Sequence, residues 1–216
     1  MFVSLRLIAL PPECETESGA LAVRLQEAAA RLPGVRSCWT APVLPVAVIN
    51  AGHVVWRMTF ASEREALAVV LDPSWRGAVA GLLEGVQVTH VGYRIGRSAV
   101  APAGGGIWRA LVFRVMPQGF SDGTKALERG LLMMPAHVST IRSWALSPVS
   151  FCEGPKGFTH IWEQEFDSLG GLTGAYMTHP IHWSHVDAFF DAECPEYIVD
   201  PHLIQVVGTI DRSIME

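Results

Sequence analysis

Val35-Arg36-Ser37-Cys38-Trp39-Thr40-Ala41-Pro42-Val43 and Ile141-Arg142-Ser143-Trp144-Ala145-Leu146-Ser147-Pro148-Val149 align without a gap at a step of 106 residues. The same step sets Leu5 on Leu111, Pro11 on Pro117 and Phe60 on Phe166. One extra residue in the second copy then brings Pro73 onto Pro180. A single register held over most of a hundred residues marks an internal duplication.

Outward from this stretch, both copies read alike. An alternating strand (Phe2–Leu10; Trp108–Met116) meets a Pro-containing turn, and an amphipathic helix follows (Glu17–Arg31; Gly123–Met133) with apolar residues at spacings of three and four. Leu32-Pro33-Gly34 and Met134-Pro135 are expected to end those helices, since proline cannot continue one. Two strands come next (Val35–Ala41 and His53–Phe60; Ile141–Ser147 and Phe158–Phe166). A second helix, broken near a proline, follows (Glu63–Leu83; Leu169–Phe190), and a last strand closes the unit (Gln87–Ile95; Leu203–Ile210). The order β-α-β-β-α-β is the ferredoxin-like pattern. Such a sheet has helices on one face and needs cover on the other, which a second copy supplies sheet to sheet. The expected fold is therefore α+β: two tandem ferredoxin-like repeats, residues 1–97 and 107–216, forming a fused dimeric α+β barrel. The Gly-rich stretch 98–106 reads as a linker, because a phosphate loop would have to open a helix and a strand follows instead.

Composition narrows the function classes. Half of the 216 residues are hydrophobic and 17% are charged, enough for a core and too apolar for a disordered chain. A net charge of −5 and a pI near 5.9 argue against a nucleic-acid partner, whose phosphates call for clustered Lys and Arg. No apolar run is long enough to span a membrane. The four scattered cysteines form no metal-like spacing and read as reduced thiols, which fits a cytoplasmic protein.

Candidate chemistry gathers in the second copy, between Gly157 and Asp187. Period two places Phe158, His160, Trp162, Gln164 and Phe166 on one strand face. Tyr176, His179, His182 and His185 follow around the break at Pro180. A neutral imidazole can take a proton at pH 7 and a phenol can donate to a developing oxyanion, so a Tyr–His pair facing His160 makes an acid–base set. The copy-one counterparts of His160, Tyr176, His179 and His182 are Val54, Val69, Asp72 and Trp75. The fold stands without these polar groups, so a site is expected in the second repeat and none in the first. Arg109 is a candidate for holding a carboxylate or phenolate, and Trp162 and Trp183 for walling a flat aromatic ligand, with His179 beside them. His179-x-x-His182-x-x-His185 suits metal poorly, because Pro180 interrupts the helix and zinc helices more often use i, i+4 pairs; no metal is expected.

The opening strand Trp108–Val115, the GFTHIWEQEF strand and the segment Tyr176-Met177-Thr178-His179-Pro180-Ile181-His182 resemble the stress-responsive A/B barrel (Dabb) family of the dimeric α+β barrel superfamily. The resemblance covers about Trp108 to Ile210. It extends to a plant polyketide cyclase of the family, and implies His182 as general base, Tyr176 as its assistant and His160 in the pocket. A fourth pocket histidine of that cyclase falls at Arg109 here. The family also holds a hydroxynitrile lyase and proteins with no established activity, and the superfamily has haem members. These implications amount to a cofactor-independent lyase or cyclase acting on a small aromatic or polyketide-like carbonyl compound. A non-catalytic barrel holding an aromatic ligand is the alternative, and a homodimer of the fused barrel remains open.

Overall fold

The computed structural model describes every residue except 102–103, 120–121 and 155–156 and the side chain of Arg76. In the first repeat β1 (Phe2–Ala9) lies between β3 (Val54–Phe60) and β4 (Gln87–Arg94), and β2 (Ser37–Pro42) flanks β3, all antiparallel. In the second, β6 (Gly104–Phe113) lies between β8 (His160–Phe166) and β9 (Ile204–Arg212), and β7 (Ile141–Glu153) flanks β8. The two half-sheets join where β7 runs on beyond Ser147 and pairs with β4 between His90 and Tyr93. At the far edges, Leu44 N donates to Val207 O, and Ile49 and Gln205 exchange backbone hydrogen bonds, so the sheet curls into a nearly closed barrel.

Alternation along the strands sorts side chains onto two faces. Val3, Leu5, Leu7, Val55 and Val91 meet Trp108, Ala110, Val112, Ile161 and Val206 inside the barrel. The outer faces are covered by helices. In the first repeat α1 (Ser18–Ala29) buries Leu21, Leu25 and Ala28, and α2 (Glu63–Leu71) buries Ala66 and Val69; α3 (Pro73–Val79) restarts after the expected break. In the second, α4 (Asp122–His137) buries Leu127, Leu131 and Met134, and α5 (Pro180–His185) is reached through a π-helix over Gly171–Tyr176.

The inner face also holds a charged pair. Arg57 and Glu163, 106 residues apart, meet at the middle of the barrel: Arg57 Nε donates to Glu163 Oε1 at 2.9 Å, and both side chains are fully buried. Arg57 Nη1 donates to Ile214 O at 2.6 Å, and the Trp108 indole donates to the same Glu163 oxygen at 3.2 Å.

Four expectations need correction. Pro135 does not stop α4, which continues to His137: a proline in the last turn forfeits only its own bond to the carbonyl four residues back. Parts of the 98–106 stretch belong to the sheet, since β5 (Arg97–Ala99) pairs with β7 and Gly104–Gly106 open β6; residues 102–103 lie outside the described residues. Glycine is required at 106, where a Cβ would come within 2.2 Å of Phe166 O. Phe158 precedes β8 and packs inside the barrel, not beside Trp162. The first strands align at a different step. Arg6 lies opposite Trp56 and His90, while Leu111 lies opposite Trp162 and Gln205. Since Trp56 matches Trp162, Arg6 matches Leu111, Ser4 matches Arg109 and His90 matches Gln205. Leu5, which faces the interior, cannot match Leu111, which faces the helices.

Candidate functional site

The helix-facing side of the second half-sheet is apolar except for one band. Arg109 on β6 sits opposite Gln164 on β8 and beside Gln205 on β9. Its Nη1 donates to Gln164 Oε1 at 2.8 Å and its Nε to Gln205 Oε1 at 3.0 Å, and Nη2 also reaches the Gln205 oxygen. Arg109 is buried, and no carboxylate of the described residues lies within ion-pair distance. Burial lowers its pKa, against the raising effect of Tyr176. Further donors lie on the same face: Trp162 Nε1 and the Gln164 amide nitrogen are buried without an acceptor among the described residues. The band is rich in donors and poor in acceptors, which suits an oxyanion.

Tyr176 ends the π-helix with its ring over the Arg109 guanidinium, 5.5 Å from centroid to Cζ, and edge-on to Phe166. His182 packs edge-on against Tyr176, with ring centroids 5.0 Å apart. Its Nδ1 lies 2.9 Å from Asp187 Oδ1, a close contact bent away from straight hydrogen-bond geometry. That carboxylate favours the proton on Nδ1 and leaves Nε2 as the basic nitrogen. Burial pushes the His182 pKa down, Asp187 pulls it up and Arg109 pushes it down again. The result is a neutral imidazole at pH 7, held beside a phenol and a guanidinium.

The other candidates are placed differently. His160 shares the face with Trp162 and Gln164, but lies four residues from Gln164 along β8, about 13 Å at 3.3 Å per residue. Its Nδ1 meets Thr159 Oγ1 at 2.7 Å, its Nε2 lies 3.5 Å from Glu128 on α4, and its ring stacks on Phe113. Burial lowers its pKa while Glu128 raises it. It lies toward the end of the band that faces α4. Trp162 is fully buried and packs against Trp144. Trp183 is 59% exposed, and its indole donates to Met177 O. His179 is the N-cap of α5, its Nδ1 accepting from Ile181 N at 3.2 Å, so it secures the helix start. Sequence reasoning missed Gln205 and the part played by Gln164. A glutamine among His160, Trp162 and Phe166 on one face was the available signal for Gln164. Gln205 required the register of β6 with β9.

Residues 107–200, the second repeat, match the family described as Stress responsive A/B Barrel Domain. No curated protein matches by sequence. Among solved structures, an anthrone oxidase-like protein is similar over 96% of this chain and 90% of its own, with 14% identity and a TM-score of 0.71. A protein from Fusobacterium nucleatum subsp. nucleatum provisionally named a monooxygenase is similar over 98% and 93%, at 6% identity and TM-score 0.63. One from Lactobacillus acidophilus, named in the same way, covers 100% and 99% at 7% identity and TM-score 0.58. The likeness spans both repeats and shows the fold: that of a dimeric α+β barrel, held in one chain. Within it, the second repeat is the part that carries the stress-responsive A/B barrel signature.

Proposed function

We propose that the second repeat is a cofactor-independent acid–base enzyme acting on a small aromatic or polyketide-like carbonyl compound. The observation that carries this is the buried set His182–Tyr176–Arg109: a phenol ring that meets a neutral base on one side and a cation on the other. His182 Nε2 removes a proton from carbon or hydroxyl. Tyr176, with the Arg109–Gln164 donors, holds the oxyanion that forms, in a site where low dielectric strengthens each bond. The stabilised enolate or phenolate then closes a ring or expels a leaving group, which are the cyclase and lyase outcomes.

The name of the anthrone oxidase-like neighbour supports a second fate for the same anion, reaction with dioxygen. Both readings share the deprotonation step. The test is turnover of a panel of anthrones, cyanohydrins and polyketide-like thioesters by the wild type and His182→Ala. The variant should lose about 10²- to 10⁴-fold in kcat with an unchanged circular dichroism spectrum. Undiminished turnover in it would remove His182 as the base. Binding without turnover across the panel would favour a ligand-holding barrel.

A further inference from the structure

The first repeat, whose outer face was expected to lack chemistry, carries a polar chain of its own. Ser4 and Arg6 on β1 share the helix-facing side with Trp56 on β3. His90 on β4 lies opposite Arg6, and Glu153 at the end of β7 lies opposite His90. Arg6 Nη1 donates to Ser4 Oγ at 2.6 Å, Ser4 Oγ lies 2.9 Å from His90 Nε2, and His90 Nδ1 lies 3.2 Å from Glu153 Oε2. The direction of each bond follows from the two ends of the chain. The Glu153 carboxylate can only accept, so Nδ1 carries the proton of the neutral ring and Nε2 is left as the acceptor. Ser4 Oγ accepts from Arg6, which has no lone pair to offer, and donates its own proton to Nε2.

Ser4, His90 and Glu153 all border one cavity of about 310 Å³, roofed by Ala66, Leu67 and Val70 of α2 and by Phe151. Arg6 lies behind the serine, 4.8 Å from the Trp75 ring centroid and 5.4 Å from that of Trp56. Burial, and secondarily Arg6, lowers the His90 pKa to about 3, so the ring is a neutral acceptor at ordinary pH. Burial is the larger cause of that lowering, while Arg6 Nη1, donating to Ser4 Oγ, favours negative charge on the serine oxygen.

We propose that the first repeat holds a second, acyl-transfer site, in which Ser4 is the nucleophile, His90 its base and Glu153 the residue that positions His90. Ser4 Oγ bonds to the carbonyl carbon of an ester while its proton passes to His90 Nε2. The ester C–O bond breaks, and His90 returns the proton to the departing alkoxide. Water then hydrolyses the acyl-serine by the reverse proton path, releasing the acid. The apolar roof fits a short aliphatic or aromatic acyl group. Glu63 and Glu153 at the cavity make neutral esters the substrate class in preference to anionic ones.

The test treats the whole protein with p-nitrophenyl butyrate and, separately, with an alkyl fluorophosphonate, followed by peptide mapping. Release of nitrophenolate and one phosphonyl group on the Ser4 peptide are expected, both lost in Ser4→Ala and slowed at least about a hundredfold in His90→Gln. Because Ser4 and His90 are buried, the exposed Glu153 provides a variant that spares the core. Glu153→Gln should slow labelling about tenfold at an unchanged melting temperature, with Glu153→Asp recovering part of the rate. No adduct on Ser4, or equal labelling rates in wild type, His90→Gln and Glu153→Gln, would overturn the proposal.

Discussion

His182 has its titration set by burial and by two neighbours acting in opposite directions. Burial and Arg109 favour the neutral ring, and Asp187 favours the charged one. The base must be unprotonated to work, and its pKa in the fold lies below the usual value near 6.5. Activity should therefore be complete at pH 7, persist below pH 6.5, and fall as the pH drops through the lowered pKa. Asp187→Asn removes the group that opposes the lowering. The acid limb of the kcat profile should move to still lower pH, and the plateau should fall at least about tenfold because a weaker base remains. A limb that stays in place would show that Asp187 does not govern His182. In the proposed mechanism Arg109 and Gln164 supply the oxyanion side; Arg109 stood out in the sequence, whereas its glutamine partners required the strand register.

At the scale of elements, the extra residue that separates the Phe60–Phe166 step from the Pro73–Pro180 step has a structural form. Both repeats start this helix alike: Ser62 Oγ accepts from Glu65 N, and Ser168 Oγ accepts from Gly171 N. The first repeat then continues as an ordinary α-helix to Leu71, while the second widens into the π-helix that ends at Tyr176. A π-turn is the conformation that absorbs one added residue without disturbing the ends of a helix. Deleting Gly174, whose Cβ position meets nothing within 4 Å, should restore the α-helix. Because the widening keeps the helix ends in register, Tyr176 would stay over Arg109, as its counterpart Val69 stays in the core of the first repeat. The deletion should leave most of the turnover, and its loss would show that the widened turn itself shapes the site. The insertion was legible in the sequence, and so were the break at Pro180 and the identities of Tyr176 and His182. The slip of the first strands was not. Leu5 and Leu111 are both apolar, so hydrophobic pattern alone could not show that one faces the barrel and the other the helices.

For the whole molecule, the duplication was readable because the two copies keep the same order of elements, and the closure of the barrel followed from the need to cover two apolar sheet faces. The charged pair at its centre was invisible in one dimension: Glu163 and Arg57 alternate among apolar residues, and each alone would read as an outward-facing strand position. Breaking the pair leaves one buried charge unmatched. Glu163→Gln should cost about 3–5 kcal/mol in urea denaturation, and Arg57→Met combined with Glu163→Leu should recover most of that. A double variant no more stable than the single one would mean that the pair's surroundings, not its charges, set the cost.

Arg57 and Glu163 also hold equivalent positions in the two repeats, and this has a consequence for partner choice. Two identical copies meeting in the same way would set arginine against arginine, or glutamate against glutamate, with no water to screen them. Only the mixed pairing is electrically neutral. The centre of the barrel thus works as a lock that accepts one key: separately expressed halves should ignore their own kind and assemble with each other, and subunit exchange, open to a symmetric dimer, is closed to this chain.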